Sequence, residues 1–473
     1  MENIETDICV IGAGSGGLSV AAGASQMGAS VVLLESGKMG GDCLHFGCVP
    51  SKAMIAAGQA AELLRTSEPF GAAQQEPVID FAQVHRHIHD VIGAIKPNDS
   101  VERFEGLGVH VIQAAGKFVG RREVVAGDTR IKAKYFVVAT GSSAAVPSIP
   151  GLADVHYLTN ETVFDRTECP EHLLVIGGGP IGCELAQAHR RLGAQVTILE
   201  MFGILATDDP EAADVVRRQL QREGISVRED IKVSGVSASG GGIAVEIEGD
   251  DGAETITGSH VLVAAGRRPN LDGLDLDAAG IAHSPQGIVV DARLRTTNKR
   301  VFAIGDAAGA LQFTHVAGYH AGIVIRNALF KLPVKATYRA IPRVTYTDPE
   351  LANVGLTEAE VKDQLGGDIR ILRWPFAEND RAQASRRTEG FVKVIADRKG
   401  RIHGVCIVGS HAGELIMPWV LAVEKNLKVG AMASVVAPYP TLSEVSKRAS
   451  GSYFTASLFS ERTKKLVRFL MRF

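Results

Sequence analysis

The stretch Asp7-Ile8-Cys9-Val10-Ile11-Gly12-Ala13-Gly14-Ser15-Gly16-Gly17 places the spacing Gly12-x-Gly14-x-x-Gly17 directly after a β-type run. A helical pattern follows, then Val31-Val32-Leu33-Leu34-Glu35, so the acid stands 18 residues after the last glycine. Alone, a glycine triplet of this kind is weak. In this context it predicts strand, tight turn, helix, strand, with the backbone free to approach a pyrophosphate and Glu35 placed to accept from a ribose. The helix start would offer free N–H groups and a positive dipole end to the phosphates. Residues 8–34 carry no charge and are long enough to span a bilayer. The six glycines between Gly12 and Gly28 break that stretch and favour the strand–turn–helix–strand reading.

The pattern recurs 165 residues later. Leu173-Leu174-Val175-Ile176 precedes Gly177-x-Gly179-x-x-Gly182, and Val196-Thr197-Ile198-Leu199 leads to Glu200, again 18 residues after the last glycine. Two units of identical spacing predict two dinucleotide sites. Glu200 would repel a 2′-phosphate, and Met201, Phe202 and Gly203 bring no arginine to welcome one, so NADH is expected over NADPH.

The chain has 473 residues, which at about 150 per domain suggests roughly three domains. Its hydrophobic fraction of 45% supports a large core, and a net charge of −3 argues against a nucleic-acid partner. Glu2, Glu5 and Asp7 precede the first apolar run where a secretory signal needs a basic start. Six cysteines in such a length do not form a secreted disulfide scaffold. A cytoplasmic protein is expected, in which a close cysteine pair is catalytic or metal-binding.

Such a pair lies in Gly40-Gly41-Asp42-Cys43-Leu44-His45-Phe46-Gly47-Cys48-Val49-Pro50-Ser51-Lys52. On a regular helix, Cα atoms five residues apart lie about 8.6 Å apart, and a disulfide needs less than about 7 Å. If the pair bonds, the segment is distorted, and Gly47 is where it can bend. Pro50 suits a first helical turn, which would place the Cys48 thiolate at a helix N-terminus. No further ligands follow at zinc-site spacing, so no metal is expected. Cys9, Cys169, Cys183 and Cys406 are scattered and read as buried apolar filler.

These residues resemble the redox motif of the class I pyridine nucleotide-disulfide oxidoreductases, the group containing dihydrolipoamide dehydrogenase, glutathione reductase and mercuric reductase. The resemblance extends over essentially the whole chain, through Ala115-Gly116-Lys117-Phe118, Ala139-Thr140-Gly141-Ser142, Gly177 to Glu184, Ala265-Gly266-Arg267-Arg268-Pro269-Asn270, Ala303-Ile304-Gly305-Asp306-Ala307 and Thr347-Asp348-Pro349-Glu350. It implies FAD at the first glycine unit and NAD at the second. It implies that Cys48 is the flavin-proximal thiol, that Cys43 is the interchange thiol, and that Lys52 lies at the flavin and pairs with Glu184. Asp306 would hold the ribityl chain, Gly116, Thr140, Gly141, Ser142 and Ala317 would line the FAD site, and Val233 and Gly266 the NAD site.

The implied fold class is α/β: two Rossmann-like dinucleotide-binding domains and a C-terminal α+β dimerisation domain. The FAD domain would comprise 1–150 and 270–338, the NAD domain 151–269, and the interface domain 339–473. A hairpin tip is expected at the glycines 240–242, strands at Phe391–Ala396 and Arg401–Val408, and a helix over Ala412–Lys425. A homodimer acting on a small or protein-bound disulfide or thiol is implied.

Pro438-Tyr439-Pro440-Thr441-Leu442-Ser443-Glu444 departs from the dithiol-using members, which carry a His–Glu acid–base pair with the His at position 439. A tyrosine titrates near 10 against about 6.5 for histidine. It can donate a proton to a leaving thiolate but is a poor base, so Tyr439 and Glu444 are expected to serve reduction better than dihydrolipoamide oxidation. Mercuric reductase has a tyrosine there, but its C-terminal vicinal cysteines have no counterpart beyond Cys406. Glutathione reductase is disfavoured by Glu200 and by the missing histidine. The expected function is therefore an FAD-dependent disulfide oxidoreductase, dihydrolipoyl dehydrogenase-like, with a mercuric reductase-like reductase of metal thiolates or a docked electron-transfer subunit as alternatives. His45 is the other candidate base within the redox loop, although a solvent-facing loop residue is the simpler reading. His85 and His89 share a helix face and read as solvated. In 461–473, Leu466, Phe469, Leu470 and Phe473 fall at i, i+3, i+4 and i+7 among Lys464, Lys465, Arg468 and Arg472. That pattern fits attachment to a membrane or partner, or packing on the protein itself.

Overall fold

The computed structural model describes residues 1–250, 252–309, 311–366 and 369–473. Its contacts divide the chain into two compact units. The first comprises 1–177, 188–196 and 233–337, and the second 178–187, 197–232 and 338–473.

In the first unit the N-terminal residues form β1 (Glu2–Ile11), whose uncharged end at 8–11 leads into α1 (Ser15–Gln26) and β2 (Val31–Leu34). β1 lies at the centre of a seven-stranded sheet, parallel to β2 and to the strand Thr129–Val138. Val109–Ile112 extends the parallel set beside β2, and Val301–Ala303 extends it beside Thr129–Val138. Both faces of the parallel strands are covered, so they read as continuous apolar runs rather than alternating ones. Ile8, Val10 and Leu33 pack toward one cluster with α1 and the helix Thr314–Ala328, and Cys9, Ile11 and Val32 toward another with Phe118 and Phe136. Glycines 240 and 241 both adopt positive φ (54° and 89°) between the strands Lys232–Ser239 and Gly242–Gly249, which is the hairpin tip expected there.

The second unit is built on a five-stranded sheet in the order Pro342–Thr345, Glu350–Gly355, Ile402–Gly409, Phe391–Asp397 and Ile369–Pro375, antiparallel throughout. Its core gathers Val392, Val394 and Ile407 around Trp419. The helix expected over Ala412–Lys425 is two pieces, Ala412–Leu415 and Met417–Glu424. Pro418 has no N–H to give to the preceding turn, so the helical ladder is interrupted there and restarts. No helix among the described residues is long and apolar enough to cross a membrane.

Candidate active site

The two glycine loops share one construction. Gly12 and Gly177 have φ of +105° and +113°, and a Cβ on either would fall 2.4 or 2.5 Å from the carbonyl oxygen of Ala139 or Ala264. Only glycine fits such a turn. Gly17 lets α1 pass so close that a Cβ there would stand 1.8 Å from the Gly12 oxygen. Glu35 accepts from the backbone N–H of Ala13 (2.6 Å) and of Gly37 (2.7 Å). Glu200 does the same for Gly178 (2.5 Å) and Phe202 (3.0 Å). Each acid therefore ties its strand end to its glycine turn and keeps lone pairs for a ribose hydroxyl.

The loops also leave room for a dinucleotide. A Cβ on Gly179 would meet nothing within 4 Å, and one on Gly14 would meet only the Gly41 Cα at 4.0 Å. α1 has no side-chain cap, so its first N–H groups remain available to a phosphate. Gly141 and Gly266 also face open space, whereas Gly116 is a packing glycine, its Cβ position 2.8 Å from Leu34. Gly182 is buried within the helix Pro180–Arg191, and Val233 is half-buried at a strand start. Ala317 packs against the Cβ positions of Gly16 (3.2 Å) and Gly305 (3.0 Å), which draws helix Thr314–Ala328 onto the first loop.

Asp306 lies in a network that the sequence alone did not show. It accepts from the Ser142 hydroxyl at 2.6 Å, and the Arg267 guanidinium donates to the same hydroxyl and to the Ser142 carbonyl, each at 2.8 Å. Arg267 also pairs with Asp42 at 3.1 Å, beside Cys43. Burial pushes the Asp306 carboxyl up, opposed by the Ser142 hydrogen bond and the Arg267 charge. Thr140 and Asn270 brace the turn reciprocally, Oγ1 donating to the Asn270 carbonyl at 2.7 Å and Nδ2 to the Thr140 carbonyl at 3.2 Å.

The redox segment bends where expected. α2 (Gly41–His45) ends before Phe46, and α3 (Cys48–Arg65) begins at Cys48, with Gly47 between them. A Cβ on Gly47 would stand 2.9 Å from the Asp42 carboxylate and 3.2 Å from the Cys43 Cα, so this glycine permits the close fold-back. Buried Asn160 fixes the bend by donating to Asp42 Oδ1 (3.1 Å) and to the Phe46 carbonyl (3.0 Å). The two sulfurs are thereby brought within hydrogen-bonding reach as thiols. Their mutual hydrogen bond, then burial, hold the Cys43 thiol far above its usual range. Thr314, also unrecognised from sequence, opposes this shift, and its Oγ1 lies 3.5 Å from Cys48 Sγ. Thr314→Val is expected to move the pH profile of Cys43 alkylation in the reduced protein upward and to slow alkylation at neutral pH about fivefold. An unchanged profile would show that the hydroxyl plays no part.

Lys52 stands one turn into α3. Glu184 belongs to the other unit, is buried, and accepts from the Tyr346 N–H at 2.9 Å. The Tyr439 hydroxyl donates to Asp380 at 3.0 Å, and that carboxylate holds the phenol above its usual range, with Glu444 adding a smaller push in the same direction. Tyr439 is 72% exposed in the single chain, and Glu444 opens the helix Glu444–Leu458. His45 is tied through Nε2 to the Met39 carbonyl at 2.9 Å, and burial lowers its pKa. The His85 and His89 rings lie 4.1 Å apart, with His89 3.7 Å from Asp165. Among the described residues, no group of three or more His, Cys, Asp or Glu is arranged to hold a metal.

Buried His320 accepts the Gly305 N–H at 3.1 Å through Nδ1, next to Asp306. Burial lowers its pKa to about 4. A histidine held neutral in the fold contributes stability that is complete above about pH 6.5 and is lost as pH falls toward 4, here roughly 3 kcal/mol. His320→Gln keeps an acceptor that does not titrate. Urea unfolding at pH 7 and pH 4.5 should show the wild type losing more stability between the two than the variant does.

Comparison with known proteins matches this construction. The chain belongs to the pyridine nucleotide-disulphide oxidoreductase family, whose model matches residues 6–321, and the family's dimerisation domain matches 341–450. Mercuric reductase of Bacillus cereus is 34% identical over 450 residues, covering 94% of this chain and 71% of the relative. Dihydrolipoyl dehydrogenase of Geobacillus stearothermophilus is 35% identical over 456 residues, covering 94% and 96%. Among solved structures, LpdA of Mycobacterium tuberculosis superimposes with a TM-score of 0.86 at 28% identity, covering 94% of this chain and 99% of that one. The fold is the family's α/β arrangement with a dimerisation domain, and the protein is an NAD(P)H-dependent FAD disulfide oxidoreductase.

Proposed function

We propose that the chain uses NADH to reduce a sulfur-centred acceptor, a disulfide, persulfide or thiol-bound metal, through Cys43 and Cys48. The observation that carries this is the pair of thiols in contact across the break at Phe46–Gly47. Bound FAD would supply the two-electron link between nicotinamide and the cysteine pair. The Gly12–Gly17 loop, Glu35, Thr140, Ser142 and Asp306 would hold it, and the charge of Lys52 would favour its reduced form. The Gly177–Gly182 loop, Glu200, Val233 and Gly266 hold the nicotinamide coenzyme.

With a disulfide acceptor, reduction of the pair leaves Cys43 as thiol and Cys48 as thiolate; the Cys43 sulfur attacks one substrate sulfur and its proton passes to the Cys48 thiolate. The first substrate thiolate leaves and takes a proton from Tyr439. Cys48 then attacks the Cys43 sulfur as its proton returns to the Tyr439 oxygen, the second substrate thiolate leaves, and the Cys43–Cys48 disulfide is restored. Two electrons have passed to the substrate. The hydrogen bond between the thiols makes Cys48 the internal acceptor for the Cys43 proton, so this direction needs no histidine. We infer a homodimer in which Tyr439 and Glu444 of one subunit serve the cysteines of the other.

Glu200 favours NADH. Arg217 comes within 3.6 Å of the Cβ position of Gly203, but its guanidinium is forked by Glu229 (2.7 and 2.9 Å) and paired with Asp214 (3.1 Å). It is therefore already neutralised and gives a 2′-phosphate little attraction. Anaerobic turnover against lipoamide, glutathione disulfide, persulfides and mercuric ion, each with NADH and NADPH, tests both readings. NADH is expected to give the higher kcat/KM by about tenfold or more. Equal use of the two coenzymes would contradict the role of Glu200. Failure of every sulfur or metal acceptor would contradict the proposed function in favour of a docked electron-transfer subunit.

A further inference from the structure

The helix Glu461–Leu470 buries none of its residues. It lies beyond the part matched to the family's dimerisation domain, which ends at residue 450. Its start is encoded locally: Ser460 accepts from the Thr463 N–H at 3.2 Å, and the Thr463 hydroxyl donates back to the Ser457 carbonyl at 2.8 Å. Leu466, Phe469, Leu470 and Phe473 are 56%, 54%, 57% and 97% exposed. Helical spacing sets Leu466, Phe469 and Leu470 on one side, and the Phe473 ring joins them 5.6 Å from that of Phe469. Lys464 and Arg468 fall on the opposite side by the same geometry and Lys465 on its flank, with Arg472 just beyond the helix end. Residues 461–473 hold five basic side chains against the single acid Glu461, on a chain whose net charge is −3.

We propose that this tail docks on an anionic lipid surface. A helix lying in the interface satisfies both of its faces at once. The leucines and phenylalanines enter the acyl boundary while the lysines and arginines reach the headgroup phosphates. A second copy of the same tail would cover only the apolar stripe and would leave both basic stripes without a counter-charge. At ten helical residues the element is too short to span a bilayer, so it lies along the surface. The inference is independent of the identity of the electron acceptor.

The test uses the purified flavoprotein and cosedimentation with vesicles of phosphatidylcholine alone or with about 30% phosphatidylglycerol, at about 0.1 M and 0.5 M salt. Full-length protein is expected to partition at least about tenfold better onto the anionic vesicles, and to lose most of that preference at the higher salt. Deleting 461–473, the pair Phe469→Ser and Phe473→Ser, and the pair Lys464→Glu and Lys465→Glu should each abolish the preference. NADH oxidation by an artificial acceptor should be unchanged in all three. Equal partitioning of full-length and deleted protein overturns the proposal. So does an apolar-face variant that binds vesicles like the wild type, or a deletion that changes the oligomeric state with no vesicle binding in either form, which would make a second copy the occupant.

Discussion

Cys43→Ser is expected to abolish turnover of disulfide and thiol-bound acceptors, by roughly three orders of magnitude or more, while NADH oxidation by an artificial electron acceptor continues. The asymmetry follows from where the sulfurs sit. Cys48 is the first residue of α3 and contacts Thr314, on the helix that also packs Ala317 against the first glycine loop. Cys43 is on the short α2, one turn before the bend. Serine at 43 keeps the hydrogen bond to its neighbour and the bend held by Asn160, but an alkoxide is not formed at neutral pH and cannot exchange with a disulfide. The nucleotide sites, tied by Glu35 and Glu200 to their own backbones, are untouched. Steady-state assays with both kinds of acceptor read the split directly. Retained disulfide turnover would assign the exchange to another thiol.

Tyr439→His is expected to raise dihydrolipoamide oxidation about 100-fold. In that direction a proton must be taken from the incoming dithiol. The phenol, itself a hydrogen-bond donor to Asp380 and held above its usual range by that carboxylate, cannot take it near pH 7. An imidazole can, and Asp380 at 3.0 Å from the present hydroxyl is placed to orient it. The variant should also acquire an acidic limb in kcat/KM near pH 6.5 that the wild type lacks. Disulfide reduction should be retained, because the imidazole can also donate a proton to the leaving thiolate, the part Tyr439 plays in that direction. A variant with neither the gain nor the new limb would show that some other feature limits the oxidation.

Much of the site was legible because it is local. The two glycine turns, their acids at 35 and 200 and the bend at Gly47 are each fixed by a few consecutive residues, and steric limits on φ leave few alternatives. What escaped sequence reasoning is what joins distant segments. The Asp42–Arg267–Ser142–Asp306 network ties the redox helix to residues 100 or more positions away, and no spacing rule connects them. Asn160 and Thr314 were missed for the same reason. Arg217 approaches Gly203 from the following helix, so scanning only the residues after Glu200 could not find it. Other misses had a signal in plain view: Pro418 announced the break in the helix drawn over Ala412–Lys425.

Anaerobic titration of the oxidised flavoprotein, counting electrons taken up per chain, tests the central claim most directly. Two electrons are expected for the flavin and two more for Cys43–Cys48, with the second pair lost in Cys43→Ser. Uptake of only two electrons by the wild type, with both thiols already open to alkylation before any reductant is added, would contradict it.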